Sequence, residues 1–174
     1  MKAVLLVVYT LILGAAATGH TMANGLDKIG SGEVHYLGVF KVYNAELFSK
    51  KPLEEKDILS EDISKCLVLH YTRKLAAEDI IKAANTVLRR QHDTATVERL
   101  RQETEALHKN YVDVKDGDSY MLCYKAADGL TELFYNDAKV ITIQSREFGQ
   151  FYLGIWLGDK DPISDDLRRS LLQQ

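Results

Sequence analysis

The sequence lacks the residue patterns that mark several large functional classes. It has two cysteines, Cys66 and Cys123, which stand too far apart for a zinc-binding or CxxC motif. No glycine-rich phosphate loop, nucleophile elbow or paired catalytic carboxylates occur. Basic residues are outnumbered, with 22 Lys and Arg against 25 Asp and Glu. The chain therefore lacks the basic surface expected of a protein that binds nucleic acid or anionic lipid.

The longest apolar run lies at the N-terminus. Lys2 precedes residues 3–14, which carry no charge, and small residues follow at 15–19. This order is typical of a secretory signal peptide, and the run is shorter than the ~20 residues that a transmembrane helix needs. An uncleaved anchor is the alternative. Cleavage is expected after Ala17 or Ala23. We favour Ala23, which gives a signal peptide over residues 1–23 and a domain over residues 24–174.

Export predicts a periplasmic or secreted protein without stable membrane insertion after cleavage. The remaining chain is long enough for one domain with a substantial core. Loss of Lys2 changes its formal net charge from −3 to −4. An oxidising compartment permits a Cys66–Cys123 disulfide. Both cysteines lie in apolar, strand-like runs, so a pair of buried thiols is the alternative.

Hydrophobic periodicity predicts an α+β domain. Strands are predicted within residues 30–49, at 66–71, and in an antiparallel meander at 119–125, 130–135 and 139–144, with a short strand at 58–59. Gly32 and Gly38 indicate bends or bulges. Amphipathic helices are predicted over 76–90 and 94–111, and a buried helix over 148–157. Ser164 is expected to cap a last short helix. This order favours helices gathered on one face of a large antiparallel sheet.

Few polar side chains stand out as candidate site residues. His92, in a turn, and His108, on a helix, are expected to face solvent. His35 and His70 lie in strands, where a structural role competes with a role as ligand or base. Arg73 and the adjacent Lys74 stand between a buried strand and a helix N-terminus, where cations and helix N–H groups attract a carboxylate. Two solvated loop cations are the alternative.

Three segments of the chain form a recognisable set. The first comprises residues 30–35 and 40–48, the second residues 71–74, and the third residues 151–160 and 163–167. The Ile-Trp-Leu-Gly sequence at 155–158 is the most specific. The set resembles the chalcone isomerase-like superfamily, and most closely its bacterial exported branch. The resemblance implies an open-faced β-sandwich, with helices layered on one face of a large antiparallel sheet and a ligand cleft between sheet and helix pair.

The resemblance also implies where catalytic groups should stand. Plant chalcone isomerases close a flavanone ring with an arginine, a threonine, a tyrosine, an asparagine and a second threonine. The matching positions here are His35, Tyr43, Ala76, Ala83 and a site near Leu167. Each lost donor costs about 2.7–4 kcal/mol of transition-state stabilisation. We therefore expect no chalcone isomerase activity and assign no catalytic residue.

A binding protein is the favoured interpretation. A fatty-acid-binding relative within the superfamily implies a small apolar or amphipathic ligand with a carboxylate. Arg73, His35 and Tyr43 are expected to contact its head group, and Ile80 and Val87 to line its tail. No cofactor, metal or nucleic acid is expected. The alternatives are an isomerase with altered catalytic residues, using His35 or Tyr43 as acid or base, and a scaffold whose own core fills the cleft.

Overall fold

The fold is taken from a computed structural model, which describes residues 25–36, 40–50 and 52–173. The predicted signal peptide and Gly38 lie outside these ranges. Six strands occur in the described part of the chain: β1 Asp27–Tyr36, β2 Phe40–Ser49, β3 Lys65–Tyr71, β4 Ser119–Lys125, β5 Leu130–Tyr135 and β6 Ala138–Gln144. The same part contains five α-helices: α1 Ala77–Gln91, α2 Thr94–Arg99, α3 Arg101–His108, α4 Arg146–Leu157 and α5 Asp165–Leu172.

The six strands form one antiparallel sheet in sequential order, from β1 at one edge to β6 at the other. Alternation along β3 separates its side chains between the two faces. Leu67, Leu69 and Tyr71 join a core cluster with residues of the helices. Cys66 and Val68 join a second cluster made by strands on the opposite face. The predicted α+β architecture, with helices gathered on one face of the sheet, is confirmed.

The two cysteines are joined on the face opposite the helices. Cys66 in β3 and Cys123 in β4 are register partners, and they form a disulfide across the two strands. Both are buried. Of the two alternatives that the sequence left open, the structure has the disulfide.

The first strand is packed tightly against the last helix. Gly30 and Gly32 face α5, and a Cβ atom added at Gly32 would lie 2.8 Å from Cβ of Ser170 and 2.9 Å from Cδ1 of Leu167. The register shifts of β1 fall between Lys28 and Gly30 and between Val34 and His35. The predicted bend or bulge at Gly32 is therefore wrong, because this glycine serves close packing against α5.

Two further expectations from the sequence are wrong. The helix predicted over 94–111 is two helices, because the backbone at Leu100 leaves the helical conformation between α2 and α3. The strand predicted at Ile58-Leu59 is a turn that follows a short 3-10 helix, Glu55–Asp57, and buries Ile58 in the core. The remaining predicted elements exist; β4 and β5 have the predicted bounds, and the bounds of the others shift by at most three residues.

The two C-terminal helices begin at serine caps. Ser145 accepts a hydrogen bond from the backbone N–H of Phe148, and Ser164 accepts one from that of Leu167, as predicted for α5. Most of α4 is buried, so its aromatic residues reach the sheet side of the helix layer. None of the helices in the described ranges is long and apolar enough to cross a membrane.

Candidate functional site

A cavity of about 670 Å³ lies between the sheet and the helix layer. Side chains of β1, β2 and β3 form one wall, and side chains of α1 and α4 form the other. Much of the wall is apolar, with Leu69, Ile80, Ala84, Ile155 and Trp156 among the lining residues. This volume lies within the 300–1,000 Å³ usual for small-molecule sites.

Five ionisable side chains that line the cavity are exposed, and they form its charged rim: His35, Arg73, Lys74, Asp79 and Lys82. Three of them are permanent cations and one is an acid. The rim is therefore net positive, which favours an anionic group at the mouth of the cavity.

The three predicted ligand-binding residues line this one cavity. Arg73 follows β3, and its guanidinium carbon lies 5.6 Å from the ring centroid of Phe40. His35 lies at the end of β1, with 36% of its side-chain surface exposed and Nε2 3.5 Å from a carboxylate oxygen of Glu33. Tyr43 is buried in β2. The cavity thus brings together residues that lie up to 38 positions apart in the sequence, from His35 to Arg73.

Tyr43 is held by a neighbour on α4. Its hydroxyl oxygen accepts a hydrogen bond of 3.0 Å from Nε1 of Trp156, which leaves its own O–H free to donate. Burial raises the pKa of Tyr43 above its usual range, and this effect outweighs the opposing effect of the Trp156 hydrogen bond. The residue is therefore a neutral hydrogen-bond donor at the cavity wall, and not a base.

Ile80 lines the cavity as predicted, whereas Val87 is buried in the core outside the lining. Of the two positions that match the isomerase tyrosine and asparagine, one lines the cavity and the other does not. Ala83 lines the cavity, and Ala76 is the N-cap residue of α1 outside the lining. Leu167 is a buried residue of α5 and also lies outside the lining. These three positions contribute no polar side chain to the cavity.

Sequence reasoning missed a group of tyrosines, Tyr71, Tyr111 and Tyr152, which we call the tyrosine cluster. All three line the cavity, although they come from β3, the segment after α3, and α4. A hydrogen bond of 3.2 Å joins the hydroxyls of Tyr111 and Tyr152. Desolvation by burial raises the pKa of each tyrosine above its usual range. No sequence motif marks this cluster, because its members meet only through the fold.

The prediction of solvent-exposed histidines at 92 and 108 is wrong. His108 is 9% exposed, and a 3.0 Å hydrogen bond joins its Nε2 to the Tyr152 hydroxyl. Burial lowers the pKa of His108 to about 4. His92 is half-buried, with its ring centroid 4.7 Å from that of Phe151. His108 lies in the last turn of α3, next to the buried Leu107 and four residues after the buried Thr104, so this side of the helix faces the core.

Elsewhere in the sheet, His70 lies near Glu46, with 3.5 Å between Nε2 of the histidine and a carboxylate oxygen. Within residues 25–36, 40–50 and 52–173, no group of three or more His, Cys, Asp or Glu side chains is arranged to hold a metal ion.

The architecture defines a class of proteins with one antiparallel sheet, helices layered on one face and a cavity between the layers. The sequence model of the family described as Chalcone isomerase-like matches residues 20–173. The chain therefore belongs to the chalcone isomerase-like family. A comparison with curated protein sequences finds no match.

One similar solved structure is the crystal structure of a fatty-acid binding protein from Arabidopsis thaliana. The TM-score is 0.63, and the match covers 86% of this chain and 87% of the other. The two sequences are 14% identical. At this identity the similarity shows the fold alone.

Proposed function

We propose that this protein binds a small amphipathic molecule with a carboxylate, similar to a fatty acid, in the cavity between sheet and helices. The carboxylate lies at the charged rim with Arg73 and His35, and Tyr43 donates a hydrogen bond to the head group. The apolar part of the ligand lies along Ile80 and Leu69. The protein is proposed to act by binding, without catalysis.

One observation carries this proposal: an apolar cavity of about 670 Å³ opens at a net positive rim. Burial of an acyl chain is favourable by about 0.8 kcal/mol for each CH₂ group. A carboxylate at the rim stays partly hydrated and close to Arg73, which avoids the high cost of burying an unpaired charge. The similar fold of a fatty-acid binding protein gives further support.

Calorimetric titration with dodecanoic acid tests the proposal. We expect saturable binding by the native protein. In Arg73→Ala, affinity is expected to fall about fivefold, since an exposed ion pair is worth up to about 1 kcal/mol. The loss should shrink at high salt, because ions screen exposed charges. Arg89→Ala is the matched control, since Arg89 is exposed in the last turn of α1 outside the cavity lining.

Two results would contradict binding at this site. One is the absence of binding by correctly folded protein, together with no retained ligand in native mass spectra of protein purified from its own compartment. The other is equal affinity of the native protein and Arg73→Ala for dodecanoic acid at low salt. Turnover of a chalcone that disappears in His35→Ala or Tyr43→Phe would instead support an isomerase with altered residues.

We further propose that the protein is exported to the periplasm or secreted, as in the bacterial exported branch of the family. The apolar run at residues 3–14 supports this proposal, and so does the disulfide, since disulfides persist in oxidising compartments. Fractionation and N-terminal sequencing of the native protein test it. The expected first residue is Asn24, and a cytosolic protein that begins at Met1 would refute export.

A further inference from the structure

The polar groups of the cavity are divided into two kinds. The charged rim is exposed, whereas Tyr43, Tyr71 and Tyr152 are buried and Tyr111 is half-buried. No lining residue deeper than the rim carries a charge at neutral pH, because burial keeps these phenols protonated. A carboxylate would therefore be stable at the rim and would lose its hydration without a partner cation at the tyrosine cluster.

Tyr71 gives the cluster an unused hydrogen-bonding group. The residue is 3% exposed and lines the cavity, and its hydroxyl has no hydrogen-bond partner within the described residues. Its ring contacts are aromatic, with centroids 5.6 Å from Tyr43 and 6.1 Å from Tyr120. A hydroxyl that lines the cavity without a protein partner can pair with a ligand atom that enters there. The group can donate and accept, so a neutral oxygen of the ligand matches it.

The partners of the neighbouring hydroxyls support the same conclusion. Tyr152 is engaged on both sides, at 3.0 Å from Nε2 of His108 and 3.2 Å from the hydroxyl of Tyr111. Tyr111 makes this one side-chain hydrogen bond among the described residues and therefore keeps hydrogen-bonding capacity for a second partner. The rings of Tyr71 and Tyr111 both pack on the ring of Tyr120, with centroid distances of 6.1 and 4.9 Å. Together they form a fixed, neutral hydrogen-bonding site inside an apolar wall.

We infer that the ligand carries a second polar group, a hydroxyl or carbonyl on its apolar chain, which binds at Tyr71 and Tyr111 while its carboxylate stays at the rim. The inference rests on the proposed function and narrows the ligand class to oxygenated acyl chains. A plain acyl chain leaves the Tyr71 hydroxyl unpaired, so the site discriminates against it. Sites built to hydrogen-bond a ligand oxygen reject analogues that lack it far more strongly than apolar pockets reject a missing methylene.

Calorimetric titration with dodecanoic acid and its positional hydroxydodecanoic acid isomers tests this inference. At least one isomer should bind the native protein about tenfold more tightly than dodecanoic acid, which corresponds to one well-formed hydrogen bond in place of an unpaired group. In Tyr71→Phe the ratio of the two affinities should fall to about one. Tyr124→Phe is the matched control, because the Tyr124 hydroxyl donates to the Glu61 carbonyl outside the cavity and the preference should remain.

The outcomes separate the inference from the proposed function. If the native protein binds dodecanoic acid as tightly as every hydroxylated isomer, the inference fails and the proposed function stands. If no acid binds, both fail. A preference that persists in Tyr71→Phe and in Tyr111→Phe also refutes the inference, because the ligand oxygen is then recognised elsewhere. Circular dichroism checks folding, and Tyr111→Phe serves as the test variant if Tyr71→Phe does not fold.

Discussion

His108 and Tyr152 form a buried pair whose tyrosine lines the cavity. The histidine is neutral at physiological pH, because burial holds its pKa at about 4, against a reference value near 6.5. Glu105 opposes this effect only weakly, as its negative charge favours the protonated ring. Acid therefore protonates His108 in the unfolded chain before it does so in the folded protein.

This difference predicts a loss of stability in mild acid. Between pH 6.5 and 4 the unfolded state binds up to one proton more than the folded state at this residue, so the free energy of unfolding falls as pH falls. From pH 7 to pH 4.5 the contribution of His108 is about 2 kcal/mol. Urea denaturation at the two pH values measures it.

His108→Gln provides the comparison, because glutamine does not titrate. The variant should lose about 2 kcal/mol less stability than the native protein between the same pH values. The other titrating groups are common to both proteins, so they cancel in the difference. Equal losses in the two proteins would show that His108 does not titrate differently in the folded and unfolded states.

Single residues differed in how well the sequence predicted their positions. Arg73 could be placed at the cavity because it stands in the link after a buried strand, and Tyr43 because the resemblance matched it to a catalytic position of plant chalcone isomerases. The burial of His108 was not predicted, because a histidine beside the apolar stripe of a helix was expected to face solvent. The burial of Lys65 was equally hidden. Its amine donates to the carbonyl of Ser60 and to Oε1 of Gln150, and the side chain is inaccessible.

At the scale of elements, the contact of α5 with β1 depends on two glycines of the strand, which have no side chain to hold the helix away. A Cβ atom at Gly30 would collide with the backbone carbonyl oxygens of Ser170, at 2.6 Å, and Leu171. Backbone atoms cannot rotate away as a flexible side chain can. The glycines at positions 30 and 32 therefore set the distance between the helix and the edge of the sheet.

Replacing Gly30 by alanine is expected to destabilise the protein by about 1–3 kcal/mol, the usual cost of overpacking. In most strand positions the same replacement stabilises a protein, because alanine is more favourable than glycine in a strand. A loss of stability here would therefore report the close contact with α5. Chemical denaturation measures the change, and Ser31→Ala is the matched control because Ser31 is exposed on the same strand. A Gly30→Ala variant as stable as Ser31→Ala would contradict the packing described for α5.

The elements were predicted well where one period dominates the sequence. Strands β4, β5 and β6 alternate clearly between turn residues, and the apolar stripe of α1 has helical spacing, so their bounds agree closely with the structure. The prediction of a strand at Ile58-Leu59 was wrong because two apolar residues are too few to show the alternation typical of a strand. The prediction of a bend or bulge at Gly32 was wrong because the sequence alone does not distinguish a glycine that permits close packing from a glycine in a bulge.

At the scale of the whole molecule, the two faces of the sheet have separate tasks. The helix-covered face holds the cavity, and the opposite face holds the disulfide within a small apolar cluster that includes Phe48, Val68 and Phe134. The resemblance to a known family predicted the layered architecture, which the structure confirms. It could not predict the tyrosine cluster, which requires the register of β3 and the placement of α3 and α4 together.

Removing the disulfide should weaken the fold and leave binding intact. The bond spans 57 positions of the chain, so a Cys66→Ala/Cys123→Ala variant is expected to lose about 4 kcal/mol of stability through greater freedom of the unfolded chain. Its affinity for dodecanoic acid should be unchanged, since the cysteines lie on the face opposite the cavity. Denaturation and titration with and without reductant measure both effects.

Reductant serves as the internal control for that comparison. It should lower the stability of the native protein towards that of the double variant and have no effect on the variant itself. If complete reduction leaves the stability of the native protein unchanged, the disulfide contributes little to the stability of the fold.

The cover of β1 by α5 has a consequence for the order of assembly. The pairs β1–β2, β4–β5 and β5–β6 are joined by short segments of chain, so these hairpins can form locally as the chain emerges. The edge strand β1 is different, because α5, the helix that packs on it, is made after all six strands. A chain that lacks residues 165–172 would carry two glycines on an uncovered edge strand, and such edges pair readily with other chains. The two turns of α5 thus cover a face of the edge strand that truncated chains would expose.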